Sequence, residues 1–396
     1  MTDFETINFR AFPALNGDCL LITCKSQGQQ KNILIDCGYP DTYREHLLPE
    51  LRKVSWRGGQ IDLFIVTHID ADHLMGAIPF LKDNNIEQFI GIEQVWHNTF
   101  RHIQPLIGIN ANAAVKQPVL QALIQRGYHT EKQTSGEISA HQGTTVGALI
   151  LKNNYQWNTD FQGKAVSTDN GGAIYLSDQV SIFLLSPGPS ELIGLARFWQ
   201  QELKKYDLNI SPADDQYFDD AFEMMLTWEK NMPKQPKPIY AVTTPEALLN
   251  KPFKEDTGVT NGSSIGFILE MPGKNLLLLG DAHPAVIERG LIKYQPEGTI
   301  VFDLIKLAHH GSYNNISLGL LQRTDSSIYV FSANGKHGHP DKETIAHIVC
   351  RKADFLRTLY FNYQTESSEF FNREDWKRAY HYEIAYLSVT DYTLTL

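Results

Sequence analysis

The stretch Ile61–Pro79, IDLFIVTHIDADHLMGAIP, decides how this chain folds. Residues 61–66 are nearly all apolar and end in β-branched side chains, which predicts a buried strand. Directly after this strand come four side chains that can bind a metal, namely His68, Asp70, Asp72 and His73. Functional sites of α/β proteins are built at such strand ends. A helix is predicted from about Leu74, and the dipole at its N-terminus would favour anions near the cluster.

The cluster at 68–73 has two interpretations. The simpler one is a solvated turn in which aspartates cap the following helix, and isolated Asp-x-Asp patterns are usually of that kind. However, two imidazoles and two carboxylates packed this closely repel each other or lose hydration unless a cation neutralises them. We therefore interpret the cluster as half of a metal site, because later segments supply further ligands.

Two later strands also end in side chains that can bind a metal. Residues 265–271 and 276–280 predict a hairpin whose second strand is followed by Asp281. The predicted strand Phe302–Leu307 is followed by Ala-His-His-Gly-Ser, which contains His309 and His310. A further strand at 327–332 precedes Gly-His-Pro, which contains His339. Alternatively, the aspartate could cap a turn, and the last histidine could be an ordinary loop residue.

The segment His68-x-Asp70-x-Asp72-His73 resembles the His-x-His-x-Asp-His signature of the metallo-β-lactamase superfamily, with an aspartate in place of the second histidine. This variant, together with His-His-Gly-Ser at 309–312 and Gly-His-Pro at 338–340, resembles the hydrolase domain of ComEC-type competence proteins. The resemblance covers about 1–95 and 258–350. It implies an α/β fold, a four-layer αββα sandwich, with one or two divalent metals at the sheet edge.

The resemblance also implies roles for individual residues. The implied metal ligands are His68, Asp70, Asp72, His73, Asp281 and His309. Asp281 would bridge two cations, and Asp72 would also orient or deprotonate the attacking water. Successive residues of a strand point to opposite sides, so only one of His309 and His310 is expected to bind metal directly. We assign His310 to substrate contact or ligand support, although the order could be reversed. His339 would donate a proton to a leaving oxygen or contact a phosphate.

Two residues are expected beside the ligands. Asp36 ends a predicted strand and would hold the second N–H of a ligating histidine, although it could equally start a turn before Gly38. Asn261 stands where the superfamily usually has a third histidine of the first metal site. Zn²⁺ is the favoured metal. With Asp70 and Asn261 replacing imidazoles, this site is richer in oxygen, so Mn²⁺ is also suitable.

The composition predicts a soluble, cytoplasmic protein. Of the 396 residues, 42% are hydrophobic and 20% charged, which is ordinary for a globular protein with a large core. No run approaches the roughly 18 apolar residues of a membrane span, and the N-terminal residues lack a secretion signal. The four cysteines lack zinc-knuckle spacing and are expected to be reduced. A net charge of −10 argues against a protein that coats long nucleic acid by charge alone.

We expect a single metallo-β-lactamase-like domain over 1–396, with 100–257 as a mainly helical insertion or cap over one side of the cleft. Helices are predicted at Pro189–Tyr206 and Pro212–Lys230, because each starts at a proline. Residues 135–154 could form a helix, with a strand at Ala148–Leu151 as the alternative. The alternating residues at the C-terminal end predict a closing hairpin.

These features predict a metal-dependent hydrolase in which a metal-activated water attacks the substrate. A phosphodiesterase or nuclease that acts on nucleotides or nucleic acid is favoured, because the ComEC-type resemblance implies it and oxygen-rich ligation suits phosphoryl groups. Since fold does not determine substrate, a hydrolase of another ester, a thioester or an amide is the alternative. A non-catalytic metal-binding module of a prokaryotic defence assembly is a third interpretation. A protein partner or a homo-oligomer is left open, and no membrane partner is expected.

Overall fold

The computed structural model describes residues 5–107, 145–170, 172–204, 244–387 and 392–396. Within these ranges the strands form two large sheets and one short pair. The strands are β1 (Thr6–Ala11), β2 (Leu20–Ser26), β3 (Gln29–Ile35), β4 (Leu63–Ile65), β5 (Gln94–Trp96), β6 (Gln156–Trp157), β7 (Ala173–Ser177), β8 (Val180–Ser186), β9 (Gly266–Met271), β10 (Lys274–Leu278), β11 (Ile300–Phe302), β12 (Leu304–Lys306), β13 (Thr324–Ser326), β14 (Ile328–Phe331), β15 (Arg357–Phe361), β16 (Tyr382–Tyr386) and β17 (Thr393–Thr395).

Each large sheet is partly parallel. The first has the order β17-β1-β2-β3-β4-β5-β6, and the second has the order β16-β15-β14-β12-β10-β9-β8-β7. Strands β3 to β6 are mutually parallel in the first sheet, and β10, β12, β14, β15 and β16 are parallel in the second. The loops that follow the parallel strands of one sheet therefore lie along one edge of it.

The two sheets pack face to face, and helices cover their outer faces. Ile33 and Ile35 of β3 face the second sheet, whereas Leu34 between them packs with the helices outside the first sheet. Because both faces of the central strands are buried, β4 is apolar at every position. A separate apolar cluster joins the outer face of the second sheet to its own helices. The predicted αββα sandwich is confirmed.

The helices of the described residues are mostly short. The α-helices are Pro40–Thr42, Leu48–Trp56, Ala71–Leu74, Ala77–Glu87, Phe100–Ile103, Val146–Lys152, Pro189–Lys204, Pro245–Leu248, Val259–Gly262, Pro284–Tyr294, Leu318–Arg323, Lys342–Val349, Glu366–Phe371 and Glu374–Tyr380. A π-helical turn spans Tyr43–Leu47, and 3₁₀ turns lie at Gln104–Ile107, Thr159–Phe161, Ala308–Gly311, Tyr313–Asn315 and Lys336–Gly338. In the ranges that the structure describes, no helix has the length and apolar character needed to cross a membrane.

The range 100–257 is built into the sandwich where it is described. Strand β6 lies at the edge of the first sheet, and β7 and β8 extend the second, so the expectation of a mainly helical insertion is incomplete. The alternative strand at Ala148–Leu151 is wrong, because Thr145 caps a helix there by accepting a hydrogen bond from the Ala148 N–H at 3.2 Å. Residues 108–144 and 205–243, including the predicted helix Pro212–Lys230, lie outside the described residues. The bounds of the insertion stay a prediction.

The closing hairpin predicted at the C-terminal end is wrong. Strand β16 pairs with β15 in the second sheet, whereas β17 pairs with β1 in the first. Alternating apolar residues predict that a strand forms, but they do not specify the strand with which it pairs.

Candidate metal centre

The loops after three parallel strands meet at one edge of the sandwich. The loop after β4 carries His68, Asp70, Asp72 and His73, and the last two of these lie in the helical turn Ala71–Leu74. The loop after β10 carries Asp281. The loop after β12 carries His309 and His310. The site therefore combines one loop of the first sheet with two loops of the second.

Asp281 lies at the centre of this cluster and is only 2% exposed. Its Oδ1 lies 3.4 Å from His73 Nε2, and its Oδ2 lies 3.7 Å from His68 Nε2. The same Oδ2 lies 3.7 Å from His309 Nε2 and 3.8 Å from His310 Nε2. One carboxylate thus faces imidazoles from both sheets, which is the arrangement expected of a bridging ligand.

The two aspartates of the β4 loop lie on different sides of this centre. Asp70 Oδ2 is 3.3 Å from His68 Nε2. Asp72 Oδ2 is 3.5 Å from His310 Nε2 and accepts a hydrogen bond of 2.8 Å from Asn16 Nδ2. The structure therefore brings together all the ligands that the sequence predicted.

The donor atoms fit a metal ion. The Nε2 atoms of His68, His73 and His310 and the Oδ1 atom of Asp281 are buried, and none has a hydrogen-bond partner among the described residues. Buried polar atoms without partners are costly, so their convergence on one point indicates a ligand. His68, His73 and Asp281 offer atoms within 4.8 Å of one another, as do Asp18, His73 and His310. Imidazole and carboxylate ligands together suit Zn²⁺ or Mn²⁺.

The charges of the cluster are strongly coupled. Burial raises the pKa of Asp281, but the positive charges of His309 and His73 outweigh burial and lower it. Burial lowers the pKa of His310, but Asp281, Asp18 and Asp72 raise it to about 9. The carboxylates thus attract positive charge, which a divalent cation would supply.

Asp36 orients His73, as a residue beside the ligands would. Its Oδ2 lies 2.7 Å from His73 Nδ1, and its two oxygens also accept hydrogen bonds from the N–H and hydroxyl of Thr67 at 2.8 and 2.7 Å. The Thr67 hydroxyl lies 3.0 Å from His68 Nδ1. Asp36 has φ +54°, in the left-handed region that aspartate and asparagine tolerate better than most residues. The carboxylate thus fixes one ligand directly and a second through Thr67.

We expect Asp36→Asn to weaken metal binding about 10–100-fold without changing the backbone. The amide has a single acceptor oxygen, whereas both Thr67 and His73 present donors to this side chain. Titration of the metal-free variant with Zn²⁺ against a competing chelator measures the effect. Asp62→Asn is the matched control, because Asp62 is equally buried and accepts bonds from Lys31 and Asn32 at the opposite end of β4. Equal affinity in the two variants would contradict the role of Asp36.

Both histidines of the pair reach the centre. His309 and His310 lie in a turn with φ values of +46° and +56°, so the alternation of an extended strand does not apply to them. The alternation argument therefore does not apply, and the expectation that only one of them binds metal directly stays a prediction. His309 Nδ1 lies 2.9 Å from Asn315 Oδ1, which can accept a hydrogen bond from the Nδ1–H and leave Nε2 to face Asp281. Which of the two ligates stays open.

Asn261 lies beside His309. Its Nδ2 is 3.3 Å from His309 Nδ1 and donates a hydrogen bond of 2.5 Å to Asp256 Oδ2. Asp256 Oδ2 itself lies 3.5 Å from His309 Nδ1. The asparagine therefore contacts the outer nitrogen of a candidate ligand.

His339 lies at the mouth of the centre. Its Nδ1 is 3.2 Å from Asp341 Oδ2, and its ring centroid is 5.2 Å from that of His309. Burial, only partly opposed by Asp341, lowers the pKa of His339 to about 4. An imidazole that is uncharged at neutral pH suits a hydrogen bond to a phosphate oxygen better than the donation of a proton.

Three residues with clear roles were missed in the sequence. Asp18 and Lys306 form a buried ion pair behind His310, and Asp256 lies behind His309. Lys306 carried a signal, since a lysine inside the apolar run Leu304–Leu307 must find a buried partner. Asp18 and Asp256 carried no such signal in the sequence, because their partners are far away in the chain.

Comparison with known proteins finds a family likeness for the first half of this site. Residues 13–95 match the family model of the metallo-beta-lactamase superfamily. The matched segment contains β2 to β4, the whole β4 loop and the start of β5, whereas Asp281 and the histidine pair lie outside it. A search of curated proteins finds no match.

Several solved structures resemble the chain remotely. They include the metallo-beta-lactamase fold protein YhfI from Bacillus subtilis, with 9% identity over 99% of this chain and 100% of that one and a TM-score of 0.38. A mutant of the β-hydroxylase CmlA has 10% identity over 100% of this chain and 54% of that one, with a TM-score of 0.34. A candidate metal-dependent hydrolase from Parabacteroides distasonis has 9% identity over 96% and 97%, with a TM-score of 0.32. Likenesses this remote say nothing about substrate.

Proposed function

We propose that this chain is a metal-dependent hydrolase that uses a metal-activated water to cleave phosphodiesters in nucleotides or nucleic acid. The observation that carries the proposal is the lining of the opening above the centre. Its lining includes Asp72, His309 and His310 together with Lys336, His337 and His339. An acidic centre suited to cations thus opens towards cationic and hydrogen-bonding groups suited to a phosphate.

The ligand set supports the first part of the proposal. His68, Asp70, His73 and Asp281 would hold the ion or ions, together with Asp72 and the histidine pair. A divalent ion there would supply Lewis-acid activation of water and of a phosphoryl oxygen. Asp36 and Thr67 keep the imidazoles of the β4 loop turned towards Asp281.

Asp72 is the residue best placed to orient the attacking water. It is the only carboxylate that lines the opening among the described residues, with 19% of its side chain exposed. The hydrogen bond from Asn16 fixes one of its oxygens at 2.8 Å. A carboxylate held in this way can accept a proton from a water that lies between the centre and the opening.

We expect Lys336→Ala to raise KM for bis(p-nitrophenyl) phosphate about 5–10-fold and to leave kcat nearly unchanged. The ammonium group is exposed at the opening, where a charge-assisted bond to a phosphate oxygen is weakened by solvent. The KM for an uncharged thioester should not change. Lys352→Ala is the control, because Lys352 is exposed between the helix Lys342–Val349 and the start of β15, away from the opening.

Steady-state assays on a panel of substrates test the proposed function, with metal content measured by elemental analysis. Metal-dependent turnover of the phosphodiester, lost in Asp72→Asn, is the expected result. Turnover of a thioester but not of the phosphodiester would overturn the substrate class. Bound metal without any turnover would favour a non-catalytic module instead of an enzyme.

A further inference from the structure

A buried ion pair lies directly behind His310. Lys306 Nζ donates to Asp18 Oδ2 at 2.7 Å and to the carbonyl oxygen of Leu307 at 3.0 Å. The hydroxyl of Ser332 donates to Asp18 Oδ1. The lysine and the aspartate are 1% and 2% exposed. Charges this deeply buried persist only when they are paired and hydrogen-bonded.

This ion pair joins the two sheets at the edge that carries the metal centre. Asp18 lies in the loop between β1 and β2, whereas Lys306 ends β12 of the second sheet. The Asp18 N–H donates to the carbonyl oxygen of Asp72 at 3.3 Å. Gly17 permits this approach, because a Cβ there would lie 1.8 Å from the same oxygen. The loop of the first sheet is thus docked onto the β4 metal loop and onto β12 together.

The other contact of Asp18 is His310. Asp18 Oδ1 lies 3.5 Å from His310 Nδ1, on the side of the ring that faces away from the centre. On the opposite side, His310 Nε2 lies 3.5 Å from Asp72 Oδ2 and 3.8 Å from Asp281 Oδ2. The imidazole is 3% exposed and lies between the ion pair and the proposed ligands, within ion-pair distance of both.

Asp18 could instead be a metal ligand, since one of its oxygens lies within 4.8 Å of atoms of His73 and His310. The hydrogen bonds oppose this role. One oxygen accepts from an ammonium group and the other from a hydroxyl, and the ammonium charge repels a divalent cation. A carboxylate already neutralised by lysine is suited to hold a ligand's N–H.

We propose that Asp18, fixed by Lys306 and Ser332, is a positioning residue that sets the ring of His310 and thereby the affinity of the centre for metal. This proposal rests on the proposed metal centre but not on the hydrolytic reaction. It holds whether His310 binds the ion directly or contacts the substrate and a neighbouring ligand.

A double-mutant cycle of Asp18→Asn and Lys306→Met tests the proposal. Each single variant leaves a buried polar or charged group without its partner and should therefore unfold at a lower denaturant concentration than the wild type. The double variant should recover most of the lost stability. The double variant should nevertheless bind Zn²⁺ about 10–100-fold more weakly than the wild type. Chelator-competition titration of the metal-free proteins measures this affinity without any assay of activity.

The matched control is the double variant Asp325→Asn with Arg357→Met. It removes another buried ion pair, which joins β13 to β15 and does not contact the histidines of the centre. Its stability should change while its affinity for Zn²⁺ stays that of the wild type. Wild-type affinity in the Asp18 and Lys306 double variant would overturn the proposal.

Ser332→Ala provides a second route if the double variant does not fold. It removes one hydrogen bond to Asp18 and keeps the ion pair intact. A several-fold loss of Zn²⁺ affinity is expected, and an unchanged affinity would also overturn the proposal. Loss of hydrolysis with normal metal affinity would count against the proposed function instead.

Discussion

On the proposed function, Asp281→Asn should empty the candidate metal centre and reduce hydrolysis to background. The carboxylate of Asp281 lies 3.4 to 3.8 Å from a ring nitrogen of each of four histidines, so its loss would affect the surroundings of all four. An asparagine carries no charge and has only one acceptor oxygen, and therefore cannot bridge two cations. Removal of groups that merely support ligands costs about 10–100-fold in metal affinity, so loss of this central ligand should cost at least about 100-fold.

Elemental analysis of the purified variant, together with turnover of bis(p-nitrophenyl) phosphate, measures the effect. Asp178→Asn is the control, since Asp178 is exposed in the turn between β7 and β8, away from the centre. Circular dichroism of both proteins shows whether the fold is kept. A metal content equal to that of the wild type in Asp281→Asn would exclude Asp281 as a ligand.

Asp325→Ala should destabilise the fold by about 3–5 kcal/mol, because it leaves a buried guanidinium group without its carboxylate partner. Arg357 is 1% exposed and donates to Asp325 through Nε at 3.0 Å and Nη2 at 2.6 Å. Arg351 Nη2 and the Tyr329 hydroxyl donate to the same carboxylate at 3.1 and 2.9 Å. Without the carboxylate, the charges of both arginines lie close together with no anion between them.

The loss of stability should depend on pH. Burial raises the pKa of Asp325, but the hydrogen bond from Arg357 and the charges of Arg351 and Arg357 outweigh burial and lower it. Its contribution is therefore fully present above the unfolded-state pKa of about 4 and is lost as the pH falls through the lower folded-state pKa. The difference in unfolding free energy between wild type and variant should accordingly shrink below about pH 4.

Denaturant unfolding at pH 7 and at several values below pH 4 measures this prediction. Glu87→Gln is the control, because its ion pair with Arg52 is about half exposed on both sides and should contribute little. A destabilisation by Asp325→Ala that is no larger than that of Glu87→Gln would contradict the assigned role. Metal affinity should be unchanged in both variants, because neither residue contacts the centre.

Much of the candidate site could be predicted because its ligands are adjacent in the chain. The β4 loop holds four of them within six residues, and the histidine pair is contiguous. Strand ends could be located from apolar runs, so the loops after β4, β10 and β12 were found with nearly correct limits. Residues that act across the sheets could not be found in this way. Asp18 and Lys306 are 288 positions apart, and no local pattern links them.

Local patterns also misjudged conformation where the backbone leaves regular geometry. The alternation rule failed for His309 and His310, because both adopt positive φ values in a turn. The C-terminal strands were found, but the sheets to which they belong were not. Pairing depends on which edges of the sheets are free once the rest of the sandwich has formed.

The sequence by itself located the strand ends and the side chains able to bind a metal, because apolar periodicity and clustered polar side chains are local properties of the chain. The αββα architecture was implied by the family resemblance. Only the tertiary structure decided that Asp281 lies among four histidines and that both histidines of the pair face it. It alone placed a buried Lys306–Asp18 pair behind His310. These contacts arise where loops of two separate sheets meet, and the packing of the sheets sets their distances.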